Sequence, residues 1–171
     1  MNWFRKPKQT IQSVPELTTS ILYNEATFYN QFVRDLSEAK EEVIIESPYI
    51  TLRRLKLLRP TFEKLIDRGI KVYIITRDPK EHDEVMLEQS EAGIRYFETL
   101  GPQVLLCGGG HHRKLAMIDR RVFWEGSLNI LSQAQSREFM RRIDSESLAE
   151  ELFEFLKYDQ IGFFREKLDL L

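Results

Sequence analysis

Gly108-Gly109-Gly110-His111-His112-Arg113-Lys114-Leu115-Ala116-Met117-Ile118-Asp119, followed closely by Glu125-Gly126-Ser127-Leu128-Asn129, sets an imidazole, an amine, a carboxylate, a hydroxyl and an amide among strand-like apolar residues. Polar groups in such company cost folding free energy unless they are hydrogen-bonded or do chemistry. Side chains on an extended strand alternate between faces, so His112 and Lys114 point the same way, as do Ser127 and Asn129. Two neighbouring strands of this kind offer one polar patch that suits a phosphate. Lys114 brings charge, Ser127 and Asn129 bring neutral donors, and His112 is a nucleophile or proton carrier near neutral pH.

The order His-x-Lys-x-x-x-x-Asp, then Gly-Ser-x-Asn, resembles the signature of the phospholipase D superfamily of phosphodiesterases. The element order agrees over residues 26–160, although the resemblance is specific only at 112–138. It implies a single α/β domain, a mixed β-sheet flanked by helices on both faces. By the same resemblance His112 attacks phosphorus to form a phosphohistidine, a second copy of that histidine protonates the leaving group, and no metal or other cofactor takes part. Lys114, Ser127 and Asn129 would surround the phosphate, and Asp119 completes the motif. Asp119 has the opposite parity to His112, so its expected work is to orient a loop rather than to touch substrate. Glu138 is a candidate for the carboxylate that fixes the tautomer of His112, weighed against a surface ion pair with Arg141.

Superfamily members use two signature motifs, and this chain has one. One imidazole cannot be nucleophile and acid in the same step, so a two-fold homodimer is expected to bring two copies of His112 together. Short single-motif members resemble the bacterial nuclease branch, which makes DNA or RNA the expected substrate and partner. Three basic groups support a polyanion: Arg53, Arg54, Lys56 and Arg59; Arg113, Arg120 and Arg121; and Arg137, Arg141 and Arg142. Arg113, Arg137, Arg141 and Arg142 are the candidate phosphate contacts, and Tyr49 is a candidate to stack on a base. The alternatives are a phospholipase or cardiolipin hydrolase, and a non-catalytic nucleic-acid-binding or assembly module. Glu125 sits uncomfortably beside an anion site, with the parity of Ser127. Glu46 is another candidate for the carboxylate that fixes His112, weighed against the plainer reading as an edge residue of its strand, and His111 reads as a loop histidine.

The formal net charge of −2 announces no nucleic-acid partner, so local clusters must carry that expectation. The single cysteine, Cys107, excludes an internal disulfide and reads as a strand-end residue. No apolar run reaches the roughly 18–20 residues that span a bilayer, and the basic N-terminus lacks a secretory segment, so the expected location is cytoplasmic and a membrane partner is not expected. Trp3 and Phe4 beside cations read as part of a loosely packed arm.

Residues 1–25 are expected to form that arm, with one short strand, and 26–171 the phosphodiesterase domain. Helical spacing covers 26–39, 53–68, 81–100 and 145–157. Apolar runs at 41–50, 71–76, 104–107, 114–118 and 122–124 read as strands, with a turn at Asp119-Arg120-Arg121.

Overall fold

The computed structural model describes residues 18–161. The N-terminal arm up to residue 17, with Trp3 and Phe4, lies outside the described residues. Seven strands form one mixed sheet in the order β1-β7-β6-β5-β2-β3-β4. They are β1 (Thr19–Asn24), β2 (Glu42–Glu46), β3 (Lys71–Arg77), β4 (Gln103–Cys107), β5 (Leu115–Ile118), β6 (Val122–Gly126) and β7 (Phe139–Asp144). β2, β3 and β4 run parallel, and every other pairing is antiparallel. The helices are α1 (Phe28–Glu38), α2 (Leu52–Asp67), α3 (Glu84–Leu100) and α4 (Glu146–Phe155).

Three of the four helices begin on a side-chain cap. The Thr51, Asp83 and Ser145 side chains accept from backbone N–H groups in the first turns of α2, α3 and α4. A glycine in the left-handed region, Gly101, closes α3. On one face of the sheet, Phe28, Phe32 and Leu36 of α1, Leu55 and Phe62 of α2, and Phe97 of α3 cover Val43, Ile45, Val72, Ile74 and Trp124. On the other, Ala149 and Phe153 of α4 with Tyr158 cover Ile44, Tyr73, Ile75, Met117 and Phe123. The expected two-sided architecture is present.

Two details differ from the sequence expectation. The short strand within the arm joins the sheet, Thr19 to Asn24 pairing with Asp144 to Phe139. β7 itself has no counterpart in the expected elements. Its Arg141-Arg142 pair interrupts the apolar alternation, and only Met140 and Ile143 are fully buried apolar positions.

Asp119 lies at the end of β5 remote from His112. Its carboxylate accepts from the backbone N–H groups of Lys40 (2.8 Å), Glu41 (2.8 Å) and Glu42 (3.0 Å). Asp119 and Arg120 have φ of 52° and 49° in the three-residue connection between Ile118 and Val122, where the Arg121 N–H donates to the Ile118 carbonyl at 3.0 Å. The clamp ties the β5–β6 turn to the start of β2, so Asp119 orients a loop and lies away from His112.

Candidate active site

The parallel strands β2, β3 and β4 end where β5 begins, β6 ends and β7 begins, because Glu46 pairs with Leu115, Leu115 with Glu125, and Gly126 with Met140. Ligand clefts in α/β sheets form outside such carboxyl ends. Here an open cleft of about 680 Å³ is lined by His112, Lys114, Ser127, Asn129 and Glu138, joined by Arg113, Glu125 and Arg141. Leu115, Phe139, Leu152 and Leu156 make its apolar wall.

Gly126 is required by close packing: a Cβ there would lie 2.3 Å from the carbonyl oxygen of Phe139. That approach allows the Ser127 N–H to donate to the Phe139 carbonyl (3.0 Å) and the Ser127 hydroxyl oxygen to accept from the Phe139 N–H (3.2 Å). Asn129 turns the chain by accepting from Ser132 and Gln133 through its backbone carbonyl, while its side-chain Oδ1 is buried without a hydrogen-bond partner among the described residues.

His112 is exposed and Lys114 half-buried. Lys114 Nζ lies 2.6 Å from His112 Nδ1 and donates to the His112 carbonyl at 2.8 Å. An ammonium can only donate, and Nζ lies 2.6 Å from Nδ1 against 3.2 Å from Nε2, so the shorter contact suits the neutral ring with its proton on Nε2. Partial burial, then the charges of Lys114 and Arg77, hold the His112 imidazole below its ordinary 6.5. Burial likewise lowers the Lys114 amine, opposed by the negative charge of Glu138.

A family described as cardiolipin synthase, PLD-like domain matches residues 32–159. This chain belongs to the phospholipase D-like family. Three solved structures share the fold. NucT from Helicobacter pylori is 20% identical with a TM-score of 0.64, the match covering 82% of this chain and 94% of that one. A phospholipase D family member, Nuc, from Salmonella typhimurium is 16% identical with a TM-score of 0.66, covering 82% and 92%. Phosphatidylserine synthase from Haemophilus influenzae is 17% identical with a TM-score of 0.61, covering 87% of this chain and 40% of that one. No curated protein sequence matches the chain.

Within this phospholipase D-like domain, His112, Lys114, Ser127, Asn129 and Glu138 come together, whereas Asp119 does not. Glu138 makes no hydrogen bond to His112 among the described residues; its charge acts on Lys114 instead. Tyr49 is not a free platform, because its ring lies 5.1 Å from that of His82 and edge-on to that of His112 at 6.1 Å. Glu125 does line the cleft, directly opposite Arg141 on β7.

The basic groups largely disperse. Arg142 faces away from the cleft and is held by Asp35, at 2.8 Å and 3.1 Å, so it is no phosphate contact. Its neighbour Arg141 does line the cleft, since adjacent strand residues cannot share a face. Arg137 is exposed beside Glu25 and not part of the cleft lining. Arg54 donates to the Gln133 carbonyl, Arg59 pairs with Glu63, Arg120 with Glu42, and Arg121 with Asp144.

Glu46 corrects the sequence reading most sharply. β2 is an interior strand, not an edge, and Glu46 is fully buried. His111 is no free loop residue either, its side chain being 7% exposed and directed at Glu46. Both had a sequence signal: a carboxylate closing the run Val43-Ile44-Ile45 must find a partner if that strand is interior.

Proposed function

We propose that the chain is a metal-independent phosphodiesterase that hydrolyses nucleic acid at a site shared by two copies across a two-fold axis. One observation carries the reading: His112, Lys114, Ser127 and Asn129 meet in one open cleft at the carboxyl ends of the parallel strands. A phosphodiester is protected by its negative charge and by a poor alkoxide leaving group, so a catalyst must neutralise the first and protonate the second. Lys114 and Arg141 supply the charge.

His112 Nε2 attacks phosphorus, forming a P–N bond as the bond to the leaving oxygen breaks, and His112 of the partner subunit gives that oxygen its proton. The partner imidazole, now neutral, takes a proton from water as the water oxygen displaces His112 from phosphorus. Attack needs the lone pair on Nε2, so Lys114 must leave Nδ1, and the ring must lose its Nε2 proton to solvent as Nδ1 takes one up. A bound phosphate, a stronger acceptor for an ammonium than a neutral ring nitrogen, draws it away. Glu138 is then free to receive Nδ1–H.

Because one residue type serves as neutral nucleophile and protonated acid, the rate follows the product of the two fractions and peaks at the pKa of His112. That pKa is depressed below 6.5, so kcat/KM is expected to peak on the acidic side of 6.5 and to fall in both directions. A plateau reaching to alkaline pH would remove histidine as the acid.

Nucleic acid is favoured as substrate by the cationic lining and by size, since the chain matches more than nine-tenths of NucT and of Nuc. Phospholipid is the second reading, favoured by the apolar wall of Leu115, Phe139, Leu152 and Leu156. The test is hydrolysis of labelled single- and double-stranded DNA and RNA, and of phospholipid vesicles, in excess EDTA. Nucleic-acid cleavage that weakens with salt, with specific activity falling on dilution as two-copy particles separate in sedimentation, is the expected result. Full activity from a strict monomer rejects the shared site, and cleavage of vesicles alone moves the substrate to lipid.

A further inference from the structure

Behind the cleft lies a buried cluster that the reaction scheme leaves unused. Glu46 ends β2 with no solvent exposure. Arg113 forks onto it, Nε to Oε2 at 2.5 Å and Nη2 to Oε1 at 3.0 Å. The Tyr158 hydroxyl donates to Oε1 at 2.7 Å, and His111 Nε2 lies 3.6 Å from Oε2. A carboxylate removed from water persists only when it is paired and hydrogen-bonded. Burial, then the Glu46 charge, push the Tyr158 hydroxyl far up, so it remains a protonated donor.

The cluster alternates with the site along the chain. His111 turns inward to Glu46 and the Arg113 guanidinium reaches it too, although Arg113 is 48% exposed and also lines the cleft, while His112 and Lys114 turn outward into the cleft. Strand pairing cannot enforce that alternation, because the ladder with β2 starts only at Leu115. The preceding Gly109 and Gly110 both have φ above 70°, and the Glu81 carboxylate accepts from their N–H groups at 2.6 Å and 3.0 Å, which anchors the loop backbone but does not set which way the side chains after it point. A slip of one residue would turn the His112 ring towards Glu46 and out of the cleft.

We propose that the Glu46–Arg113 fork, braced by Tyr158, aims His112 and Lys114 into the cleft. Glu46, Arg113 and Tyr158 are thus positioning residues for the reacting histidine. The inference rests on the reading of His112 as nucleophile, but it makes a claim about the free protein that needs no substrate.

The test uses the full chain with Glu46→Gln, Arg113→Lys and Tyr158→Phe. Gln keeps the volume and loses the charge, Lys keeps the charge and loses the fork, and Phe removes one donor. Each variant is followed by thermal melting, by nitrogen NMR of the His112 ring for tautomer and pKa, and by kcat and KM. The expected result is cooperative melting with a shifted His112 tautomer ratio, and kcat lower by roughly 10- to 100-fold in Glu46→Gln and Arg113→Lys with KM changed by less than about threefold. Tyr158→Phe should move in the same direction by a smaller factor.

Folded variants whose His112 resonances and kcat match wild type would overturn the proposal and leave the cluster a packing feature. If Glu46→Gln does not fold, Arg113→Lys and Tyr158→Phe, which leave the carboxylate in place, decide by the same readouts. If wild type turns over none of the substrates, the NMR arm still decides. A changed His112 ring then supports positioning while the functional reading fails, and an unchanged one rejects both.

Discussion

His112→Ala is expected to abolish turnover, with a loss of at least about 10⁴-fold, while the protein keeps its fold. His112 is exposed at the mouth of the cleft, and truncating an exposed side chain costs within about 0.5 kcal/mol. Wild-type melting together with retained activity would remove it as the nucleophile. The same variant tests whether two imidazoles act on one phosphate. In a population of dimers reassembled from equal amounts of wild type and His112→Ala, about a quarter carry two intact histidines and about half carry one. If both imidazoles serve each turnover, activity falls to about a quarter of the wild-type value. If each subunit works alone, it falls to about half.

How much of this was legible beforehand depended on the range of the interaction. The common direction of His112 and Lys114 is what period-two alternation expects, although β5 itself starts only at Leu115, and the turn at Asp119-Arg120-Arg121 falls between two apolar runs. These expectations use only neighbouring residues of the chain. Their counterparts in the structure are the 2.6 Å contact between Lys114 and His112 and the positive φ angles of the turn. Gly126 belongs with them only in part, because the oxygen its missing Cβ would strike belongs to Phe139 on another strand.

The failures involved partners far apart in sequence. Glu46 meets Arg113 and Tyr158 at separations of 67 and 112 residues. No local pattern states that such groups meet, so the sequence alone offers no partner for Glu46 and leaves it looking like an edge residue. Charge clusters failed for a related reason. Arginines adjacent in sequence were counted as one patch, but strand alternation and helix rotation send neighbours to different faces, where Glu63, Glu42, Asp144 and Asp35 neutralise them. What survives near the site is Lys114, Arg113 and Arg141, of which Arg113 is already committed to Glu46.

Arg142 gives the largest expected effect on stability and the clearest reversal of its sequence reading. Its guanidinium forks onto Asp35 at 2.8 Å and 3.1 Å, and Asp35 Oδ2 also accepts from Trp124 Nε1 at 2.9 Å. Asp35 is 4% exposed and Trp124 fully buried, and Trp124 packs between Tyr23 and Phe28 with ring centroids 5.0 Å away in each case. The group therefore pins α1 to β6 and β7. Asp35→Ala leaves the guanidinium and the indole N–H without their acceptor in a place water reaches poorly. Breaking a buried pair from one side costs about 3–5 kcal/mol, which lowers Tm by roughly 10 °C or more in a domain of this size. A lone acid on the buried stripe Phe28, Phe32, Leu36 of α1 was the sequence signal for a partner of this kind. Arg142→Ala should be nearly as costly, because it strands the carboxylate instead. Arg141→Ala removes an exposed side chain bonded to Ser20 and should move Tm little, while weakening substrate binding and flattening its salt dependence. If Arg142 contacted a phosphate, the two arginines would exchange these outcomes, Arg142→Ala changing the salt slope at constant Tm. Melting curves and salt titrations of the two variants therefore decide which arginine faces substrate.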